Sequence, residues 1–137
     1  MATLIDLVAY LEALPTQLEP TSEDMFYAGD QQKRRIKTRT EQGIGVDGGM
    51  FRPYAARSKK DGPVTLSLTG EMMDSIVVDS DDNTAHIYFG NEEQADKARY
   101  QNDGTRRVPQ RFFFGISLDD RDELISDIRE SIFRRIN

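Results

Sequence analysis

The sequence has no cysteine and no tryptophan, and His86 is its only histidine. Without thiols the chain cannot form a disulfide framework, a thiolate metal site or a cysteine nucleophile. A single histidine also excludes a histidine-based metal cluster within one chain. The composition therefore fits synthesis in a reducing cytoplasm and favours a function without metal chemistry.

Long apolar runs are also missing. No stretch approaches the ~20 apolar residues that a membrane-spanning helix needs. The apolar N-terminal segment from Leu4 to Val8 contains Asp6, and neither a basic region nor a small-residue cleavage site accompanies it. We therefore expect neither a signal peptide nor a membrane partner.

Charge is plentiful but unbalanced. The 137 residues include 18 basic and 24 acidic ones, for a net charge of −6, and 37% of the residues are hydrophobic. The apolar fraction suffices for one modest core. A net negative chain is a poor general binder of phosphate backbones, because non-specific nucleic-acid affinity comes mainly from Lys and Arg. DNA could still pass such a protein without being bound specifically.

Helical periodicity predicts two N-terminal helices. The first is capped by Thr3 and ends at Pro15, and the second begins at Thr21 or Ser22 and ends near Gln42. Residues 43–62 contain several glycines and Pro53, which favour irregular or extended structure, as a long arm or loop.

The remainder alternates strands and helices. A helical turn follows Thr69, and residues 75–79 and 85–89 predict a hairpin. Asn91 caps a short helix, Arg111–Gly115 predicts a strand buried on both faces, and Ser117 with Asp120 caps the final helix to Ile136.

These elements predict an α+β fold. A small antiparallel sheet of about three to four strands would pack against an N-terminal helix pair and a C-terminal helix. We expect a single domain, residues 1–137, in which residues 1–42 are the N-terminal helices, 43–63 the arm, and 64–137 the sheet and last helix.

Several motifs resemble known sites by spacing alone. Residues 43–48 fit G-x-G-x-x-G, but a charged helix precedes them and no helix is predicted to follow, so a glycine hinge is the better interpretation. Residues 79–83 begin like a calcium loop but lack its glycine and its final glutamate, which favours a hairpin turn. His86 should face outward from its strand. No catalytic constellation stands out, so we expect neither an enzyme nor a cofactor.

Two segments are candidates for binding other proteins. The glycine-rich arm carries exposed-looking aromatic and apolar residues, and the second helix carries a basic run. The candidate interface residues are Met50, Phe51, Arg52, Pro53, Tyr54, Lys33, Arg34, Arg35, Lys37 and Arg39.

From Gly48 onward the order of features resembles a known family. Phe51-Arg52-Pro53-Tyr54 is followed by the Leu-x-x-Thr-Gly-x-Met segment Leu66–Met72, then a hairpin and an alanine-containing helix ending in glutamine and glycine. The most specific signature is Arg111–Ser117, Arg-Phe-Phe-Phe-Gly-Ile-Ser. The chain resembles the virion-morphogenesis or tail-completion proteins of Mu-like phages and prophages, over about two thirds of its length. It departs from them at Tyr100-Gln101, where the family often has His-Gln.

The resemblance implies a structural role without catalysis or cofactors. The protein would act at the neck or head-proximal tail end of the virion, where tails are completed or joined to heads, after synthesis in the host cytoplasm. Expected partners are head-closure, adaptor or tail-tube proteins and further copies of the chain, in a ring for which sixfold symmetry is one candidate. The alternative is an adaptor or regulator that binds an acidic partner through the basic face Lys33–Arg39.

Overall fold

The computed structural model describes residues 2–3, 19–51 and 70–136. Its elements, in chain order, are β1 (Ala2–Thr3), α1 (Ser22–Glu41), α2 (Gly70–Asp74), β2 (Ile76–Ser80), β3 (Ala85–Phe89), α3 (Glu92–Asp103) and α4 (Leu118–Ile136). The strand order in the sheet is β1-β3-β2, and β1 pairs with β3 in the antiparallel sense. The α+β class predicted from the sequence is confirmed.

The helix starts follow the predicted capping chemistry. At α1, the N–H of Thr21 donates to the Asp24 carboxylate at 2.8 Å. At α4, the Ser117 N–H donates to Asp120 and the Asp120 N–H donates to the Ser117 hydroxyl, both at 3.0 Å. The Asn91 side chain accepts from the third residue of α3 in the same way. These contacts satisfy amide groups that have no partner inside a helix, which is why the boundaries were predictable.

Two compact units make up the chain. The first consists of Met1–Arg34, Val77–Tyr88 and Ile116–Asn137, and the second of Arg35–Ile76 and Phe89–Gly115. Because α1, β2 and β3 each contribute residues to both units, the expectation of a single domain stays a prediction.

The core of the first unit lies among α1, α4 and the hairpin. Its central cluster consists of Met25, Ala28, Ala85, Leu124, Ile128 and Ile132. Gly29 brings α1 close to the hairpin, since a Cβ atom there would lie 2.7 Å from Cγ1 of Val78. The apolar stripe predicted for α4 is buried at three of its positions, whereas Ile136 is 46% exposed.

The second unit is centred on Phe113, which is fully buried. Its ring lies 6.3 Å from that of Phe89 and 6.2 Å from that of Phe114, measured between centroids. The short helix α2 packs against α3 and buries Met72 and Met73. Aromatic side chains and methionines therefore hold this unit together.

The predicted strand Arg111–Gly115 is wrong, because this segment is irregular. The N–H groups of Phe113 and Phe114 donate to the side-chain oxygen of Asn102 at 3.1 and 3.0 Å, where a strand would use a neighbouring backbone. Burial is also uneven: Phe113 is buried, whereas Phe112 is 42% exposed. The sheet of the described residues therefore has two five-residue strands and the two-residue β1, fewer full strands than the predicted three to four.

Two expectations concern residues outside the described ranges. The first predicted helix falls mainly on residues 4–18, and most of the predicted arm falls on residues 52–69. Across the ranges that are described, we find no helix with both the length and the hydropathy needed to cross a bilayer.

Candidate interaction surface

Residues 43–51 form a closed loop at the C-terminal end of α1. Ile44 and Met50 make an antiparallel bridge, and the N–H of Phe51 donates to the carbonyl of Gly43 at 2.9 Å. At the tip, the Gly48 N–H donates to the Gly45 carbonyl, and Gly48 adopts a φ of +84° that favours glycine. This part of the predicted arm is therefore folded back on itself by hydrogen bonds.

The loop packs on the irregular segment Arg111–Gly115. The Val46 N–H donates to the Phe112 carbonyl at 2.8 Å. A Cβ atom at Gly45 would lie 2.8 Å from that same oxygen and 3.2 Å from Cε1 of Phe51. Glycine at position 45 thus allows Phe51 and the Phe112 backbone to approach each other.

This packing leaves an apolar surface open to solvent. Met50 is 77% exposed, Phe112 is 42% exposed, and Phe51 is half-buried. We call these three residues the Met50–Phe112 surface. Because Met50 and Phe51 lie on a hydrogen-bonded loop and the Phe112 backbone is bonded to that loop, a partner would gain apolar burial with little ordering of the backbone.

The same hydrogen bonds oppose a nucleotide site at the G-x-G-x-x-G string. The N–H groups of Gly45 and Gly48 donate to carbonyl oxygens within the loop, to Gly49 and Gly45 respectively. No helix begins within residues 44–51 to receive a phosphate. The tight turn that these glycines form is thus the better interpretation, and it lies within the segment predicted as an arm or loop.

The predicted basic run on α1 is largely engaged within the molecule. Arg34 pairs with Asp30 at 3.1 Å, Lys37 with Asp74 at 3.5 Å, and Arg39 donates to the Gly115 carbonyl at 2.9 Å. Arg35 is half-buried and has an internal interaction of its own. Lys33 is also half-buried. An acidic partner would therefore have to compete with several intramolecular contacts.

Three predicted interface residues, Arg52, Pro53 and Tyr54, lie outside the described residues. The structure thus places Met50 and Phe51 on one loop, while the five basic residues lie on α1. Of those five, Lys33 and Arg34 belong to the first unit and the other three to the second.

The acidic hairpin turn behaves as its turn chemistry predicts. Asp81 Oδ1 accepts hydrogen bonds from the N–H of Asn83, the N–H of Thr84 and the Thr84 hydroxyl, at 2.8 to 2.9 Å. Because these donors favour the charged carboxylate, led by the Asn83 N–H, the pKa of Asp81 is lowered. The carboxylate therefore closes the turn. His86 alternates with buried Ala85 and Ile87, so it lies on the predicted outward face. Within the described ranges, no three acidic or histidine side chains are grouped to hold a metal ion.

Sequence reasoning missed Phe112 as a surface residue, because three consecutive phenylalanines suggested a buried strand. Pro109 and Gly115 bracket the run and leave room for only a short segment, which was the available signal against a central strand. The exposed Leu118, at 78%, was also missed. It is the first residue of α4, directly after its cap, where a side chain commonly faces solvent.

Comparison with known proteins adds no relative. No protein-family model, curated protein or solved structure matches this chain.

Proposed function

We propose that this protein is a structural assembly component of a tailed bacteriophage, which acts in tail completion or head-to-tail joining through protein–protein contacts and without catalysis. The observation that carries the proposal is the Met50–Phe112 surface. It exposes Met50 on a hydrogen-bonded loop and Phe112 on the segment bonded to that loop, and side chains of these types are enriched in the cores of protein interfaces.

Two segments of the resemblance to the tail-completion proteins contribute to this surface. One begins at Phe51 and the other at Arg111, and the hydrogen bond from Val46 to Phe112 holds the loop that ends at Phe51 against the second segment. The proposal therefore draws on the resemblance and on this packing together. The expected occupants are a neighbouring copy of the chain or another virion protein of the neck.

Polar groups that could suggest an enzyme have structural roles in the described residues. Asp24 and Asp120 cap helices, and Asp81 closes the hairpin turn. Catalysis would need such a carboxylate to converge with a second reactive group around a substrate position. Their existing hydrogen bonds support the assembly role over an enzymatic one.

The basic-face adaptor is the less favoured alternative. Lys37 and Arg39 have partners in the second unit, and Arg34 has one within its own helix turn. Releasing those contacts would offset part of any gain from an acidic partner.

The test of the proposal is deletion of the gene from a phage or inducible prophage that carries it. We expect lysates to accumulate DNA-filled heads and separate, unattached tails, which electron microscopy can count. Expression of the wild-type chain from a plasmid should restore joined particles. A normal yield of infectious, complete particles from the deletion would contradict the proposal.

A further inference from the structure

The loop between α3 and α4 contains a tight turn, Thr105–Val108. The Thr105 N–H donates to the Val108 carbonyl at 2.8 Å, and the Thr105 hydroxyl oxygen accepts from the N–H groups of Arg107 and Val108 at 3.2 and 3.0 Å. Gly104, with a φ of +77°, brings the loop ends together, because a Cβ atom there would lie 2.9 Å from the Gln110 nitrogen. Backbone and side-chain contacts therefore fix the shape of this turn.

The turn presents Arg106 and Arg107 at its two central positions, and both residues are exposed. Within the described part of the chain neither guanidinium has a hydrogen bond or an ion pair, and the backbone N–H of Arg106 has no acceptor. Other arginines of this unit do have internal partners: Arg39 with Gly115, Arg99 with Asp96, and Arg111 with Gln101. The Thr105–Val108 turn therefore fixes the backbone that carries two adjacent arginines, and the described fold does not use their guanidinium groups.

We propose that the Thr105–Val108 turn binds the phosphate backbone of double-stranded DNA without sequence preference. A guanidinium offers a planar fork of donors that matches phosphate oxygens, and two adjacent forks with a free amide can contact neighbouring phosphates. Contacts of this kind position a protein on DNA but carry no sequence information.

The surroundings of the turn favour DNA over an acidic protein. The exposed residues next to the two arginines along the chain, Asp103, Thr105 and Gln110, are all polar, and the apolar Val108 and Pro109 are half-buried. Protein interfaces have a largely apolar centre, whereas protein–DNA interfaces are polar and positively charged. The turn thus lacks the apolar core that a protein partner would need, in contrast to the Met50–Phe112 surface.

The lack of aromatic side chains within the turn favours a duplex over a single strand as the nucleic acid that it binds. Proteins bind single strands by stacking bases on several aromatic side chains. Tyr100 and Phe112 are the nearest exposed aromatic residues along the chain on either side of the turn, and the Arg99 guanidinium lies 5.5 Å from the Tyr100 ring centroid. The Thr105–Val108 turn itself carries no aromatic side chain beside its arginines, so contact with a duplex backbone is the better match.

The net charge of −6 limits the strength of this binding. The rest of the surface repels the same phosphates, so the contact is weak, local and strongest at low salt. The inference rests on the turn alone and does not depend on the proposed role in virion assembly.

The experiment measures binding of the full-length chain to a short labelled duplex of random sequence by fluorescence anisotropy over a series of salt concentrations. For two phosphate contacts, replacing both arginines in the variant Arg106→Gln/Arg107→Gln should reduce the slope of log K against log salt by about two. The variant Arg106→Lys/Arg107→Lys keeps both charges and should retain most of the slope. The matched control is Arg121→Gln, an exposed arginine on α4, which should leave the slope unchanged.

Three results would overturn the inference. The wild-type chain could show no salt-dependent duplex binding. The variant Arg106→Gln/Arg107→Gln could leave the slope of log K against log salt unchanged, or Arg121→Gln could lower that slope equally. A poly-glutamate peptide that binds as tightly through the same two arginines would assign the turn to an acidic protein instead. Thermal unfolding checks that the variants fold, which we expect because neither side chain has a described internal partner. Particle joining after gene deletion and complementation tests the assembly role separately, so either proposal can fail without the other.

Discussion

Ser131 donates a hydrogen bond of 2.6 Å to the buried carboxylate of Asp24, which joins α4 to the first turn of α1. Arg135 donates to the other oxygen of Asp24 at 3.0 Å, and the Asp24 side chain also caps α1. Asp24 is only 1% exposed, so its charge depends on these donors for stabilisation. One carboxylate thus serves both helix capping and packing of the first unit.

We expect the substitution Ser131→Ala to lower the free energy of unfolding by about 1.5–3 kcal/mol, the usual contribution of a hydrogen bond to a charged group. Chemical denaturation monitored by circular dichroism would measure it. Ser126→Ala is the matched control, because Ser126 lies on the same helix but is exposed, and it should change stability by less than about 0.5 kcal/mol. Equal effects of the two substitutions would show that the contact with Asp24 contributes nothing.

The environment of Asp24 also predicts how the stability of the fold depends on pH. Burial by itself raises the pKa of Asp24, but hydrogen bonds from Ser131, Thr21 and Arg135 outweigh it, so its pKa in the fold is below the ordinary value of 3.8. A group whose pKa is lowered by folding stabilises the native state above its unfolded pKa, and this stabilisation is lost as pH falls through the folded pKa.

The variant Asp24→Asn should therefore be less stable than the wild type at neutral pH, and the difference should shrink between about pH 5 and about pH 2. Urea titrations of both proteins over this range would measure it. Asp81, whose pKa is also lowered, is present in both proteins, so its contribution cancels. A difference that stays constant across the range would contradict the prediction.

We expect that replacing Gly29 by alanine destabilises the protein, although this substitution within a helix usually has the opposite effect. Replacing glycine by alanine within a helix ordinarily stabilises a protein by about 0.5–1 kcal/mol. At position 29 the new methyl would lie 2.7 Å from Cγ1 of Val78 and 3.2 Å from Cβ of Ala85, so we expect Gly29→Ala to destabilise by about 1–3 kcal/mol. Thermal or chemical unfolding would show the sign directly.

Two further variants separate crowding from helix propensity. At Gly70 the nearest atom to an added Cβ is 4.0 Å away, so Gly70→Ala should be neutral or mildly stabilising. The double variant Gly29→Ala/Val78→Ala should lose less stability than the sum of its single substitutions, because it removes the crowding atom. Strict additivity would exclude the proposed steric cause.

Most helices were predictable because their signals are local. Asn91 and Ser117 cap α3 and α4 through contacts that span three residues, so the sequence window contains both partners. The irregular course of Arg111–Gly115 was not predictable in this way. Its backbone groups contact Asn102 and Val46, and the Val46 contact depends on a distant part of the chain.

The Met50–Phe112 surface likewise combines a feature that the local sequence indicates with one that depends on distant contacts. The glycine-rich surroundings of Met50 suggested it as a candidate interface residue, whereas the 42% exposure of Phe112 is evident only in the folded chain. Only the fold reveals that Gly45 lets the two segments approach each other.

Substitution of Asn102 tests why the segment Arg111–Gly115 is irregular and does not form the predicted strand. Because its side-chain oxygen accepts from the N–H groups of both Phe113 and Phe114, Asn102→Ala should leave two partly buried donors without a partner and cost about 1–3 kcal/mol. Asn102→Asp keeps an acceptor oxygen at that position and should cost less. Unfolding monitored by circular dichroism would rank the two variants, and an equal loss in both would point to a role for the Asn102 amide instead.

Met50 provides the sharpest test of the Met50–Phe112 surface, because its side chain can be changed with little effect on the fold. Met50 is 77% exposed and Leu118 is 78% exposed, so Met50→Glu and Leu118→Glu introduce the same charge at equally open positions. At Leu118, the first residue of α4, a glutamate also suits the helix dipole. Both variants should keep the wild-type unfolding temperature.

In complementation of the gene deletion, Met50→Glu should reduce the yield of joined particles at least about tenfold, since a charge desolvated at an apolar contact costs more than about 1.4 kcal/mol. Leu118→Glu should restore assembly fully. If Met50→Glu complements as well as Leu118→Glu does, the contact that completes the particle lies elsewhere on the chain.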